Sequence, residues 1–208
     1  MSFSNITLAN QLWPRTSSSM VRNVVLAVVG SLIVAGAAQI TVPMWPVPMT
    51  LQTLVVLGIG AAYGARLGAA TLILYAVEGA IGLPFFAGGK SGILDGKLDY
   101  ALPGSSMGYI VGFILAAWLV GKLVETGWAN SWIKSAAAAL IGGAILYVPG
   151  LIWLAIWATK TGVLPEGQSA VSTAIAWGLT PFIVGDLIKA LLAGLGVPAI
   201  AKLLSRKS

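Results

Sequence analysis

Long apolar runs alternate with short polar breaks along this chain, and none of the runs shows the every-other-residue pattern of a strand. The runs approach the ~20 residues that a helix needs to cross the hydrocarbon of a bilayer. Lipid offers the backbone no hydrogen-bond partners, so only helices and closed barrels can span it. Continuous runs without a two-residue period select helices. The breaks predict an all-α integral membrane protein, a single membrane domain over 1–208 with six spans at about 23–40, 49–64, 67–82, 106–124, 133–158 and 181–204. Prolines fix several of these limits. Pro43, Pro46 and Pro48 force an extended connection after the first span, Pro84 opens a long loop to Pro103, and Pro181 starts the last span. A short helical stretch at Val171–Gly178 precedes that last span.

Composition agrees with this pattern. The chain is 58% apolar and only 9% charged, against the ~25% charged residues of ordinary soluble domains. The net charge of +6 sits as single residues at the ends of spans, which reads as topology and excludes a nucleic-acid surface. With the N-terminus in the cytoplasm, Arg15, Arg22, Arg66, Lys122, Lys134, Lys202, Arg206 and Lys207 lie inside, and Lys90, Lys97 and Lys160 lie outside. Both termini are therefore expected in the cytoplasm, and the two long loops outside. Arg15, Arg22 and the Ala35-Gly36-Ala37 triplet imitate a secretory signal peptide, but the apolar run is nearly a full span. Cysteine and histidine are both absent (0 of each), so the common zinc sites and a histidine-activated serine have no basis. No metal, cofactor or catalytic residue is expected.

The residues that could carry chemistry are few. Asp186 and Lys189 stand three apart on one helix face, with Asp186 roughly 7 Å below the start of the last span. Charges at that depth face a cavity or each other. They mark either a polar ligand site or a self-neutralising structural pair. Glu78, late in the third span, marks either a ligand or gating group or, more simply, an interfacial helix-end charge. Trp45, Tyr147 and Trp153 fit an interfacial aromatic belt, or else the flat walls of an apolar ligand site. Small residues recur every fourth position: Ala27, Ser31 and Ala35; Gly60, Gly64 and Gly68; Gly104, Gly108 and Gly112. Such stripes let helices approach closely, within the bundle or against a partner protein. Gly88-Gly89-Lys90-Ser91 imitates the end of a phosphate-binding loop, but Pro84 occupies the place of its first glycine.

Taken together, Pro46-Val47-Pro48-Met49-Thr50-Leu51-Gln52-Thr53-Leu54, Gly64-Ala65-Arg66-Leu67-Gly68-Ala69, Glu78 to Gly89 (EGAIGLPFFAGG), Gly108 to Phe113 and Gly185-Asp186-Leu187-Ile188-Lys189-Ala190 resemble the BioY family. These are the substrate-capture components of biotin transporters of the energy-coupling factor type. The resemblance follows all the spans in order. It implies a helical protein of the bacterial cytoplasmic membrane whose biotin site opens outward under capping external loops. It assigns Asp186 and Lys189 to that site, and Phe85, Phe86, Gly88 and Gly89 to its walls and lid. Gln52, Tyr109, Tyr147, Trp153 and Trp45 complete the candidate contacts. Ala27, Ser31 and Ala35 fall where a small-residue stripe docks a coupling transmembrane subunit, which in turn works with separate ATPase subunits. One stretch departs: Ser105-Ser106-Met107-Gly108-Tyr109 stands where the family carries a Pro-Thr-Gly-Gly-Tyr-like run, and Ser106 could replace the threonine hydroxyl. A self-sufficient facilitator or channel is the competing reading, and would need a continuous polar path through the bundle.

Overall fold

The computed structural model describes residues 7–13, 19–92 and 104–205. Arg15, Asp95, Lys97, Asp99, Pro103, Arg206 and Lys207 lie outside the described residues. Among the described residues eight α-helices follow one another: α1 (Leu8–Leu12), α2 (Ser19–Gln39), α3 (Gln52–Tyr63), α4 (Ala65–Ala80), α5 (Met107–Glu125), α6 (Trp132–Lys160), α7 (Ala170–Gly178) and α8 (Ile183–Ser205). Among the described residues, four stretches are long and apolar enough to cross a membrane: Met20–Gln39, Met107–Glu125, Trp132–Lys160 and Ala170–Val197. The last of these joins α7 to α8 through a 3-10 turn at Thr180–Phe182, with Pro181 inside it. Helices α3 and α4 have 12 and 16 residues, or about 18 and 24 Å at the ordinary helical rise.

The centre of the bundle is α5, and backbone proximity explains why. A Cβ on Gly112 would strike the Leu146 backbone of α6, one on Gly121 would strike Gly64 and Ala65, and one on Gly60 would lie 2.6 Å from the Ala117 carbonyl. Only residues without side chains allow such approach, which replaces a hydrophobic driving force between helices in lipid. The small-residue stripes serve these crossings with two interruptions. Gly64 takes φ +82° in the turn between α3 and α4, where any Cβ would be strained, and Gly104 precedes α5. Glu125 reaches across from α5 and accepts the Ala65 N–H at 2.9 Å, satisfying the first turn of α4. Valines, leucines and isoleucines such as Val24, Leu32, Ile152, Val184 and Leu192 stand exposed around the outside, where lipid is their solvent.

At one end of the bundle α2 and α3 are joined by a small hairpin, β1 (Thr41–Val42) paired with β2 (Met49–Thr50), Thr41 opposite Thr50. Its tip is pinned by Ser105, whose hydroxyl donates to the Pro46 carbonyl at 2.6 Å. At the other end Arg22, only 2% exposed, donates to Asn10 and Asn23 and ties α1 to α2.

Candidate functional site

Beneath the hairpin lies a cavity of ≈ 70 Å³ walled by α3, α4, α5, α6 and α8 and by the turn after α4. Its roof is Val47, Pro48 and Thr50 of the hairpin with Phe86 and Ala87 of that turn. Its walls are mostly apolar and aromatic: Tyr75, Tyr109, Ile110, Phe113, Leu146, Tyr147 and Phe182.

The polar groups form two connected networks. On α8, one helical turn brings Lys189 Nζ to 2.7 Å from Asp186 Oδ1, with both side chains about nine-tenths buried. Lys189 also donates to the Thr50 carbonyl at 2.8 Å, and the Tyr147 hydroxyl donates to Asp186 Oδ2 at 2.5 Å. The pair therefore holds α8, the hairpin and α6 together. On the other side Gln52 donates to the Tyr75 hydroxyl at 2.7 Å, and Tyr75 donates to the Phe85 carbonyl at 3.2 Å. Thr50 joins the two, since its hydroxyl donates to Gln52 Oε1 while its carbonyl receives Lys189. The charges on Asp186 and Lys189 offset each other, which is what lets both stay in a poorly solvated place.

The roof turn is held from α2. Gln39 accepts the Gly89 N–H at 2.9 Å and donates to the Phe86 carbonyl at 3.2 Å. Gly88 and Gly89 adopt φ +70° and +71°, a tight double turn that keeps Phe86 edge-on to Tyr75 at 5.8 Å. The phosphate-loop look of this stretch is thus a lid-like turn rather than a strand-to-helix loop.

Of the residues singled out in the sequence, Asp186, Lys189, Phe86, Tyr109, Tyr147 and Gln52 line the cavity together. Phe85, Gly88 and Gly89 belong to the turn behind its roof. Trp45 stands outside it, 64% exposed, edge-on to Trp177 at 4.9 Å and to Trp157 at 6.4 Å. Trp153 faces the start of α5, donating its indole N–H to the Gly104 carbonyl at 3.0 Å. Glu78 is not among the lining residues, and its Oε2 is buried without a hydrogen-bond partner. On α2 the small-residue stripe turns inward: Ser31 is wholly buried, Ala35 is buried and Ala27 half-buried. Ser31 and Ala35 are thus covered by neighbouring helices of this chain, and the exposed face of α2 carries Val24, Val28, Leu32 and their neighbours. Sequence reasoning missed Tyr75, Thr53 and Gln39. They are uncharged and scattered over separate spans, and no single-sequence period brings them together.

An apolar, aromatic cleft with a few convergent polar groups fits a small amphipathic molecule carrying hydrogen-bonding and charged ends. The model of the BioY family matches residues 9–206. A protein of Thermotoga maritima named as a biotin transporter is 34% identical, over 83% of this chain and 91% of its own. One of Rhodobacter capsulatus, named likewise, is 35% identical over 88% of this chain and 95% of its own. Among solved structures, the S-component for biotin from an ECF-type ABC transporter superposes with a TM-score of 0.71 at 22% identity, covering 90% of this chain and 95% of that one. At that identity the superposition speaks for the fold, a multi-pass helical membrane protein.

Proposed function

The chain belongs to the BioY family, and on that premise we propose that it captures biotin at the membrane as the substrate-binding component of an energy-coupling factor transporter. It is a transport protein and not an enzyme. The observation that carries this reading is the Asp186–Lys189–Tyr147–Thr50 network set in an aromatic-walled cavity. Biotin presents an apolar bicyclic body, a ureido group and a carboxylate, and the cavity offers apolar rings beside charged and amide groups that match such a mixture. At ≈ 70 Å³ the cavity is far smaller than the roughly 300 Å³ or more of ordinary ligand pockets. Biotin entry thus requires its roof, the hairpin and the Phe86–Ala87 turn, to lift.

Six crossings of the bacterial cytoplasmic membrane follow if α3 and α4, short as they are, complete their spans with the flanking turns. Both termini then face the cytoplasm, and the cavity opens outward under the hairpin. Uphill uptake draws on a coupling transmembrane subunit and separate ATPase subunits. Capture rather than channel conduction is supported by the opposite end of the bundle. There a second small pocket is lined chiefly by apolar residues such as Leu57, Ala61, Val120, Val124, Ala139 and Val197. Among the described residues, the polar groups that line the first cavity gather beneath the hairpin.

Two measurements test this. Isothermal titration of the purified single chain with biotin, without nucleotide, is expected to give saturable heat near one site per chain; no heat with biotin, against binding of another vitamin, would overturn the assignment. The natural absence of cysteine makes the topology equally direct to check. A Glu166→Cys variant is expected to react with an impermeant maleimide from outside intact cells, and Thr126→Cys only after permeabilisation. The reverse pattern would invert the orientation.

A further inference from the structure

At the end of the bundle away from the hairpin, Arg22, the fourth residue of α2, is only 2% exposed. A guanidinium keeps its charge wherever it lies, so burying one without an anion is costly. Arg22 Nη1 donates to Asn23 at 3.0 Å and Nη2 to Asn10 at 2.9 Å, both neutral amides, and its Nε is buried without a hydrogen-bond partner. Among the described residues no carboxylate pairs with Arg22. Glu125, in the last turn of α5, is turned to the Ala65 N–H. Close by lies an apolar groove of ≈ 260 Å³ lined by Leu8, Ala9, Trp13, Leu26, Ala62 and Tyr63. Leu26 stands one helical turn after Arg22 on the same face of α2, and Ala9 adjoins Asn10 in α1, so groove and guanidinium are neighbours. Trp13 is 41% exposed, and its indole is of the type that settles at the headgroup level of a bilayer.

Nε and Nη2 form the side edge of a guanidinium, which a phosphate grips with two oxygens. Here one neutral oxygen, Asn10 Oδ1, holds half of that edge and nothing holds the other half. We infer that this place binds an anionic phospholipid of the leaflet at that end, its phosphate on the Nε–Nη2 edge of Arg22 and an acyl chain in the groove. The phosphate displaces the Asn10 oxygen, so α1 gives up that contact as the lipid enters. A free phosphate would meet the same edge but leave the groove empty; a buried cation beside an apolar groove selects a molecule that has both parts. In the orientation proposed above this is the cytoplasmic leaflet, whose anionic lipids also face the exposed Arg66 and Lys122. The site shares no lining residue with the cavity beneath the hairpin, so it goes beyond the biotin-capture reading and does not depend on it.

Native mass spectrometry of the delipidated chain, titrated with phosphatidylglycerol, phosphatidylcholine or inorganic phosphate, tests this. One phosphatidylglycerol is expected to stay bound per chain, about tenfold more tightly than phosphatidylcholine, whose choline cancels the phosphate charge. Inorganic phosphate should not bind measurably. Arg22→Met should weaken phosphatidylglycerol about tenfold, the worth of a charge-assisted contact. Ala62→Phe should weaken it comparably by filling the groove while the charge stays. Asn10→Ala should bind the lipid as well as the parent or better, because it vacates the edge. Equal retention of the two lipids by the parent, or Arg22→Met within about twofold of the parent, overturns the inference. Phosphate bound as tightly as the lipid would make this a free-anion site and overturn it too. Should Arg22→Met fail to fold, the other two variants decide: unchanged lipid binding in Ala62→Phe with loss in Asn10→Ala would reduce Arg22 to a structural tie between α1 and α2. Biotin titration of Ala62→Phe and Asn10→Ala should match the parent, so failure of the capture reading and failure of this one are told apart.

Discussion

Lys189→Met is expected to weaken biotin binding at least a hundredfold and to lower the melting temperature of the purified chain. The substitution removes the cation that neutralises Asp186, and it also frees the Thr50 carbonyl and so one anchor of the hairpin roof. Stripping one partner from a buried, hydrogen-bonded ion pair typically costs about 3–5 kcal/mol, because the other charge stays in a place with little water. Asp186→Asn should act in the same direction but less severely on the roof, since Lys189 keeps its bond to Thr50, while Tyr147 keeps an acceptor in the new amide. The double variant carries the decisive information. With both charges gone, no charge is stranded, so stability should partly return. Binding should not, because the groups that meet the ligand are still missing. Titration with biotin and thermal unfolding of the three variants read these two quantities separately. A double variant that binds biotin like the parent would reduce the pair to a structural tie and sink its role in the site.

Gly112→Leu is expected to prevent recovery of a folded, monodisperse protein from the membrane. At this position α5 and α6 touch backbone to backbone, and any Cβ on Gly112 would overlap Leu146. The two backbones cannot yield locally, so the helices must separate along the whole crossing, at about 3 kcal/mol or more for an overpacked core. Separation would also shift Tyr147, the next residue of α6 and the donor to Asp186, so binding should be lost with the fold. Gly36→Leu makes the matched control. That glycine lies exposed on α2, and a Cβ added there would meet nothing within 4 Å. The larger residue should leave both yield and biotin affinity close to those of the parent. Size-exclusion profiles in detergent decide the comparison: a sharp monomeric peak for Gly112→Leu would show that the crossing relaxes more easily than its geometry allows.

The α2 stripe illustrates how far a pattern carries. Spacing of four marks Ala27, Ser31 and Ala35 as one helix face, and that much is a property of the helical period. Which way the face turns is settled by neighbours: α4 and α3 pack on that side, so Ser31 and Ala35 are buried within the chain and the larger valines and leucines look outward to lipid. The aromatic residues divide in the same manner. Tyr147 and Trp153 share α6 and look equivalent in sequence, yet the crossing with α5 sends one to Asp186 and the other to the Gly104 carbonyl.

What the sequence by itself determined is whatever depends on near neighbours along the chain and on the solvent. The helical nature of the protein follows from apolar runs in a medium without hydrogen-bond partners. That Asp186 and Lys189 can meet follows from three residues of helix, which put the two side chains on one face, 2.7 Å apart at their charged ends. The family-like stretches pointed to the same pair. What only the tertiary structure decided is which distant residues meet there. Thr50 lies 139 positions before Lys189, Tyr147 lies 39 before Asp186, and Gln52 and Tyr75 meet across 23. Such meetings are set by the crossing angles and depths of helices that glycine contacts allow, and these are collective properties of the packed bundle that no local window of residues encodes.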